Sequence, residues 1–252
     1  MLAGRTSAPL ACALWVIGFT ATASQVLIIR ELLVVFHGNE LFLGIILGTW
    51  LLLEAVGSYA VRTRAERGSK PLAAFIALQI CVGASPLASV LALRAFRYVL
   101  GIPVGELLGI GHVAITSVLV MAPIALLDGA LFPFGCRGLA EISRKEEAPA
   151  RVYLYQAFGA FVAGLAFVVY LLHYLGPIEL ALLIFLLNLG AVAALRVSVP
   201  VGLVGLYASL ALLLGAGLGL LTPGPKWLER KSAEWLWYEY SLVEMLVMRR
   251  WK

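Results

Sequence analysis

Apolar residues fall in long blocks separated by short polar breaks, at approximately 9–29, 40–61, 71–93, 111–133, 152–174, 178–195 and 199–221. Blocks of this length cross a hydrocarbon core of about 30 Å as helices. Lipid supplies no partner for a backbone N–H or C=O, so each segment must satisfy its own by helix formation, and the alternation of a lipid-facing barrel strand is absent. The pattern predicts an all-α fold: a polytopic integral membrane helix bundle of about seven transmembrane helices over 1–221. After it comes a tail, 222–252, in which Trp227, Trp235, Trp237 and Trp251 are mixed with charges, as in an interfacial segment or a docking surface for a partner.

Composition agrees with this reading. The 252 residues are 62% hydrophobic and 13% charged, with a mean hydropathy of +0.97, whereas a soluble domain is about 45–50% apolar and about 25% charged. A net charge of +5 would suggest nucleic acid in a soluble chain. Here the Lys and Arg residues sit in the breaks between apolar blocks, where they set topology, so no nucleic-acid partner is expected. Arg5, Arg62, Arg64, Arg67, Lys70, Arg137, Arg144, Lys145, Arg151 and Arg196 fall on the side of the N-terminus, against Arg30, Arg94 and Arg97 in the loops of the other. By the positive-inside rule the N-terminus is expected in the cytoplasm and the protein in a bacterial-type inner membrane. Seven crossings then put the tail, with its own six basic residues, outside; misdrawing 178–195 and 199–221, or a bend back within 9–36, would bring it in. Arg5, Pro9–Phe19 and Ala21-Thr22-Ala23 imitate a cleavable signal peptide, but the apolar run continues to Ile29, so retention is expected.

Against this background the charges inside "SQVLIIRELLVVFHGNELFLGIILGTWLLLEAVGS", residues 24–58, need explaining. A charged group at a helix centre costs roughly 2.5–3.5 kcal/mol on insertion scales and so requires a partner, an exit to the interface or a role. Arg30, Glu31, His37, Asn39 and Glu40 are expected to form one polar hairpin at the outer end of the first two spans, where long side chains snorkel and pair. Glu54 lies eight residues before Arg62, about 12 Å along a helix and so near mid-membrane. Asp128, nine residues before Arg137, has a similar depth. Together with Gln25 and Arg30 these are the intramembrane polar candidates; two acids at one level could bind a cation or relay a proton. The alternative is structural: each acid is protonated or bonded to a Ser, Gln or Asn, with Gln25, Gln79, Gln156 and Asn188 at hand.

The three histidines, His37, His112 and His173, all fall near the outer face and are candidates to bind haem or quinone there, although chance clustering explains them as well. None is at HxxxH spacing, and the three cysteines form no CxxC, so no metal site is expected. Gly44 and Gly48, Gly101, Gly105 and Gly109, and Ala160 and Gly164 recur at the spacing that lets helices approach closely, and Gly44, Gly48, Gly159 and Gly164 are the helix-packing candidates. Nucleophile elbow, P-loop and HExxH are all absent, and no catalytic residue is identified.

Three stretches carry a family resemblance: "GFTATASQVLIIRELLVVFHGNELFLGIILGTWLLLEAVGS", "MAPIALLDGALFPFGCRGLA" and "VYLYQAFGAFVAGLAFVVYLLHYLGP". They resemble, in order, the membrane half of the fused transmembrane spermidine synthase-like proteins over approximately 100 residues, at Arg30, Gly44, Gly48, Gly57, Pro123, Gly129, Pro133, Tyr155, Gly159, Gly164 and Gly176. Gln25 stands where many members have Glu. Such proteins usually continue into a Rossmann-like aminopropyltransferase domain, which this sequence does not contain before Lys252, so the resemblance implies no aminopropyl transfer by this polypeptide unaided.

The leading expectation is a non-catalytic membrane module that serves as anchor and assembly subunit for another protein chain, in contact with the lipid bilayer, its cofactors undefined. Two alternatives stand beside it: a subunit of an electron-transfer complex binding quinone or haem near His37, His112 and His173, and a carrier for a small cation such as a polyamine, using Glu54 and Asp128.

Overall fold

The computed structural model describes residues 3–36, 40–100, 109–141, 145–198 and 203–236, and these are almost entirely helical. In chain order they form α1 (Ala3–Phe36), α2 (Glu40–Arg67), α3 (Pro71–Leu100), α4 (Ile110–Ala140) and α5 (Ala148–Ala166). A π-helical turn, Phe167–Leu171, and one last turn, α6 (Leu172–Tyr174), finish the fifth crossing. Then come α7 (Pro177–Ser198), α8 (Leu203–Leu221) and α9 (Gly224–Leu236). Among the described residues six helices, α1 to α5 and α7, are long and apolar enough to cross a bilayer. α8 is a further apolar helix of 19 residues where the seventh block was expected.

Two intimate helix pairs organise the bundle: α2 lies along α4, and α1 along α5. Helices in lipid gain no hydrophobic drive to associate, so close backbone approach must be built from small residues. Gly57 and Gly129 supply it between α2 and α4: a Cβ at Gly57 would collide with the backbone carbonyl of Leu126, and one at Gly129 with that of Glu54. Between α1 and α5 the same is done by Gly18, against the carbonyl of Gln156, and Gly159, against that of Trp15. Of the four glycines expected to pack helices, only Gly159 does so. Gly44, Gly48 and Gly164 have nothing near their Cβ positions, because small-residue spacing marks a possible approach and not which face meets a neighbour.

α3 braces the two pairs through α4 and α1, and α7 packs against α3, α1 and α8. Polar side chains join these helices. The Ser89 hydroxyl donates to the carbonyl of Val120 (2.8 Å), the Asn188 amide to the Thr20 hydroxyl (2.7 Å), and the Gln79 amide to the carbonyl of Ala13 (3.4 Å). Gln79 and Asn188 are therefore occupied away from either intramembrane acid.

α9 is amphipathic: Pro225, Leu228, Glu229, Ser232 and Ala233 are wholly or partly buried, while Trp227, Arg230, Lys231, Glu234 and Trp235 are exposed. The buried stripe docks on α3 and α7. It lands at the end of the bundle where α1 and α3 finish, which requires an odd number of crossings before it, as the sevenfold pattern predicts. Trp237 and Trp251 lie outside the described residues.

The polar hairpin expected at 30–40 is corrected in part. α1 continues without a break to Phe36, so Arg30 and Glu31 belong to the helix, and Glu31 is buried among its neighbours, not snorkelling to the interface. Its partner is Arg94, expected in a loop but buried within α3. His37 and Asn39 lie outside the described residues.

Candidate functional site

Between the α1/α5 and α2/α4 pairs lies a cavity of about 690 Å³. Its position follows from the glycine contacts: each pair is held tightly by its own two glycines, whereas α2 and α5 do not pack along each other, which leaves space between the pairs. All four helices contribute to the wall, and every lining residue falls inside a candidate membrane span.

The polar wall groups come from residues one helical turn apart. α2 presents Trp50, Glu54 and Ser58 at four-residue spacing, one face of a helix. α4 presents Asp128, α1 presents Thr22 and Gln25, and α5 presents Tyr153 and Gln156. Three of the four intramembrane candidates, Glu54, Asp128 and Gln25, thus meet in one cavity; Arg30 does not line it. No Lys, Arg or His is among the described residues of the wall.

Glu54 is half-buried and hydrogen-bonded by the side chain of the buried Trp50. Asp128 is only 6% exposed, and its Oδ1 has no hydrogen-bond partner. The two carboxyls are close enough to act on each other electrostatically. Asp128 sits between two helix-interior prolines, Pro123 and Pro133. A proline lacks the N–H that would bond the carbonyl four residues earlier; for Pro133 that residue is Gly129, itself in the cavity wall. The arrangement can hold a cation: residues with two carboxyls, two side-chain amides and several hydroxyls line one space, with no protein cation among the described residues of its wall.

A second charged cluster stands at the end of the bundle where α9 docks. Arg94 Nε pairs with Glu31 (2.8 Å), Nη2 with Glu229 (2.7 Å), and Nη1 donates to the Ser232 hydroxyl (2.8 Å). The Glu229 carboxylate also accepts the backbone N–H of Ile178 (3.1 Å) in the first turn of α7, where orphan N–H groups and the helix dipole favour an anion. Every arm of Arg94 is answered by the chain itself. This cluster was not foreseen in the sequence; its visible signal is a lone acid, Glu229, on the face of α9 that carries Pro225 and Ser232.

The remaining candidates stand outside the cavity. His112 is exposed at the start of α4 and His173 is exposed in α6; neither lines the cavity, and His37 lies outside the described residues. No group of three His, Cys, Asp or Glu residues able to hold a metal occurs among the described residues. Trp227 and Trp235 are exposed on the outer face of α9. No family model, no curated protein and no solved structure matches the sequence.

Proposed function

We propose that this chain is a membrane-embedded binding protein, or carrier, for a small organic cation, with Glu54 and Asp128 as the counter-charges. One observation carries the reading: two acids share a cavity at membrane depth with no basic residue among the described residues of its wall. Burying an ionised carboxyl without a cation costs roughly several kcal/mol per ion by desolvation, so in the empty site an acid keeps its proton. A bound ammonium group offsets that cost and gives Asp128 Oδ1 the partner it lacks. Gln25, Gln156 and Ser58 add neutral donors and acceptors that orient the ligand without competing for its charge.

Equilibrium binding of radiolabelled primary amines and polyamines to the purified protein tests the proposal. Saturable binding that is abolished in the Glu54→Gln, Asp128→Asn double variant supports it. Amine uptake or binding that is unchanged in that variant removes it. The resemblance to spermidine synthase-like membrane halves makes a polyamine one member of the panel.

The assembly reading rests on a different observation, the exposed Trp227 and Trp235 on a docked helix. The inner face of α9 is already engaged with the bundle, so a partner chain would have to meet the outer one. A stoichiometric partner copurifying with the wild type and lost from a Trp227→Ala, Trp235→Ala variant is the expected result; a protein isolated alone removes this reading and leaves the first intact.

A further inference from the structure

The cavity does not merely sit at membrane depth; its mouth opens sideways. α2 and α5 are the least buried of the candidate spans, and every exposed residue of the cavity wall belongs to one of these two helices, which places the mouth between them. Two lining residues of that gap, Leu51 on α2 and Tyr153 on α5, are 63% and 68% exposed, and the lining Ala55 and Ala157 are exposed beside them. The exposed wall residues Leu51, Ala55 and Ala157 are apolar, and the outward surface of the same two helices is apolar as well, with Leu52 and Val56 exposed on α2 and Leu154 and Phe158 on α5. Surface of that kind within a transmembrane segment contacts acyl chains, not water. A ligand in the mouth therefore has its charged end against Glu54 and Asp128 and its remainder among lipid tails.

We infer that the ligand is an amphiphile, a primary amine on a single alkyl chain, which enters laterally from the bilayer between α2 and α5. This rests on the cation-binding reading above and narrows it. A fully water-soluble amine would have to cross the apolar rim unaided. An alkylamine partitions into the membrane, arrives at the rim already concentrated, and needs to desolvate only its head group. The small side chains Ala55 and Ala157 leave the rim open at the point where the chain would lie.

The experiment uses the full chain in phosphatidylcholine nanodiscs and a dodecylamine probe that carries a diazirine in its alkyl chain. Photolabelling of the wild type is expected on residues of α2 and α5, displaced by dodecylamine but not by butylamine or dodecanol. Labelling should fall about thirtyfold or more in Glu54→Gln, Asp128→Asn, as when one side of a desolvated charge pair is removed. It should also fall in Ala157→Trp, which fills the mouth and leaves both acids in place. If the double variant does not fold, judged by its elution profile, the single Glu54→Gln variant replaces it, since Glu54 is only half-buried. Equal displacement by butylamine and dodecylamine, with Ala157→Trp without effect, overturns lateral entry while cation binding stands. Labelling that is indifferent to the acids overturns both.

Discussion

Among the described residues, two places in this bundle bury ionisable groups, and they do it in opposite ways. At one end, Arg94 stands between Glu31 and Glu229 with Ser232 completing its hydrogen bonds, and one anion is shared with the first turn of α7. Between the helix pairs, Glu54 and Asp128 face a cavity with no cation in its wall and an unpartnered oxygen on Asp128. The first set of charges is closed within the chain and holds α9 to the bundle. The second is left open. The first is a structural use of buried charge, and on the proposed function the second is a binding use, so removing charge should have opposite effects at the two sites.

The largest effect is expected at the closed cluster. Arg94→Leu strands two carboxylates and should cost about 3–5 kcal/mol, the usual penalty for breaking a buried ion pair from one side. Thermal unfolding in detergent checks this, and disulfide trapping between cysteines placed on α3 and α9 should show the helix released. A stability unchanged by Arg94→Leu would erase the contrast. Next comes the packing that shapes the open site. Gly129→Leu drives a side chain into the backbone of α2 at Glu54 and should cost about 1–3 kcal/mol or more, with amine binding lost; loss of binding at full stability would mean that the glycine is not a packing residue.

At the open site the sign reverses. In the absence of ligand, Glu54→Gln with Asp128→Asn should raise the unfolding temperature, by the equivalent of about 0.5–2 kcal/mol, because sites kept for binding are commonly held at the expense of stability. A fall in stability equal to that of Arg94→Leu would make the acids structural. The smallest effect is expected on the outer surface of α9. The exposed Lys231–Glu234 pair (3.0 Å) should contribute at most about 0–1 kcal/mol, so Glu234→Ala serves as the near-silent control in the same unfolding series.

The helices were legible in the sequence because lipid leaves the backbone so few options, and Glu54 and Asp128 were legible because their depth could be counted from Arg62 and Arg137. Their convergence was not: that depends on Gly57 and Gly129 seating α2 against α4, and neither glycine carries a spacing signal that names its partner. Arg94 misled for a related reason. A basic residue near the end of an apolar block reads as a loop cation until Ser232, 138 residues later, and its helix neighbour Glu229 are brought to it. The extent of α1 was also underestimated at its far end, since Arg30 and Glu31 look like a boundary, whereas Glu31 is paired within the bundle and Leu32, Val35 and Phe36 beyond it are buried too.

The open site as a cation receptor is most directly tested by unfolding temperature with and without saturating dodecylamine, in the wild type and in the Glu54→Gln, Asp128→Asn variant. A ligand that binds only the folded state must raise that temperature. The account predicts a rise in the wild type and none in the variant; an equal rise in both, or none in either, would contradict it.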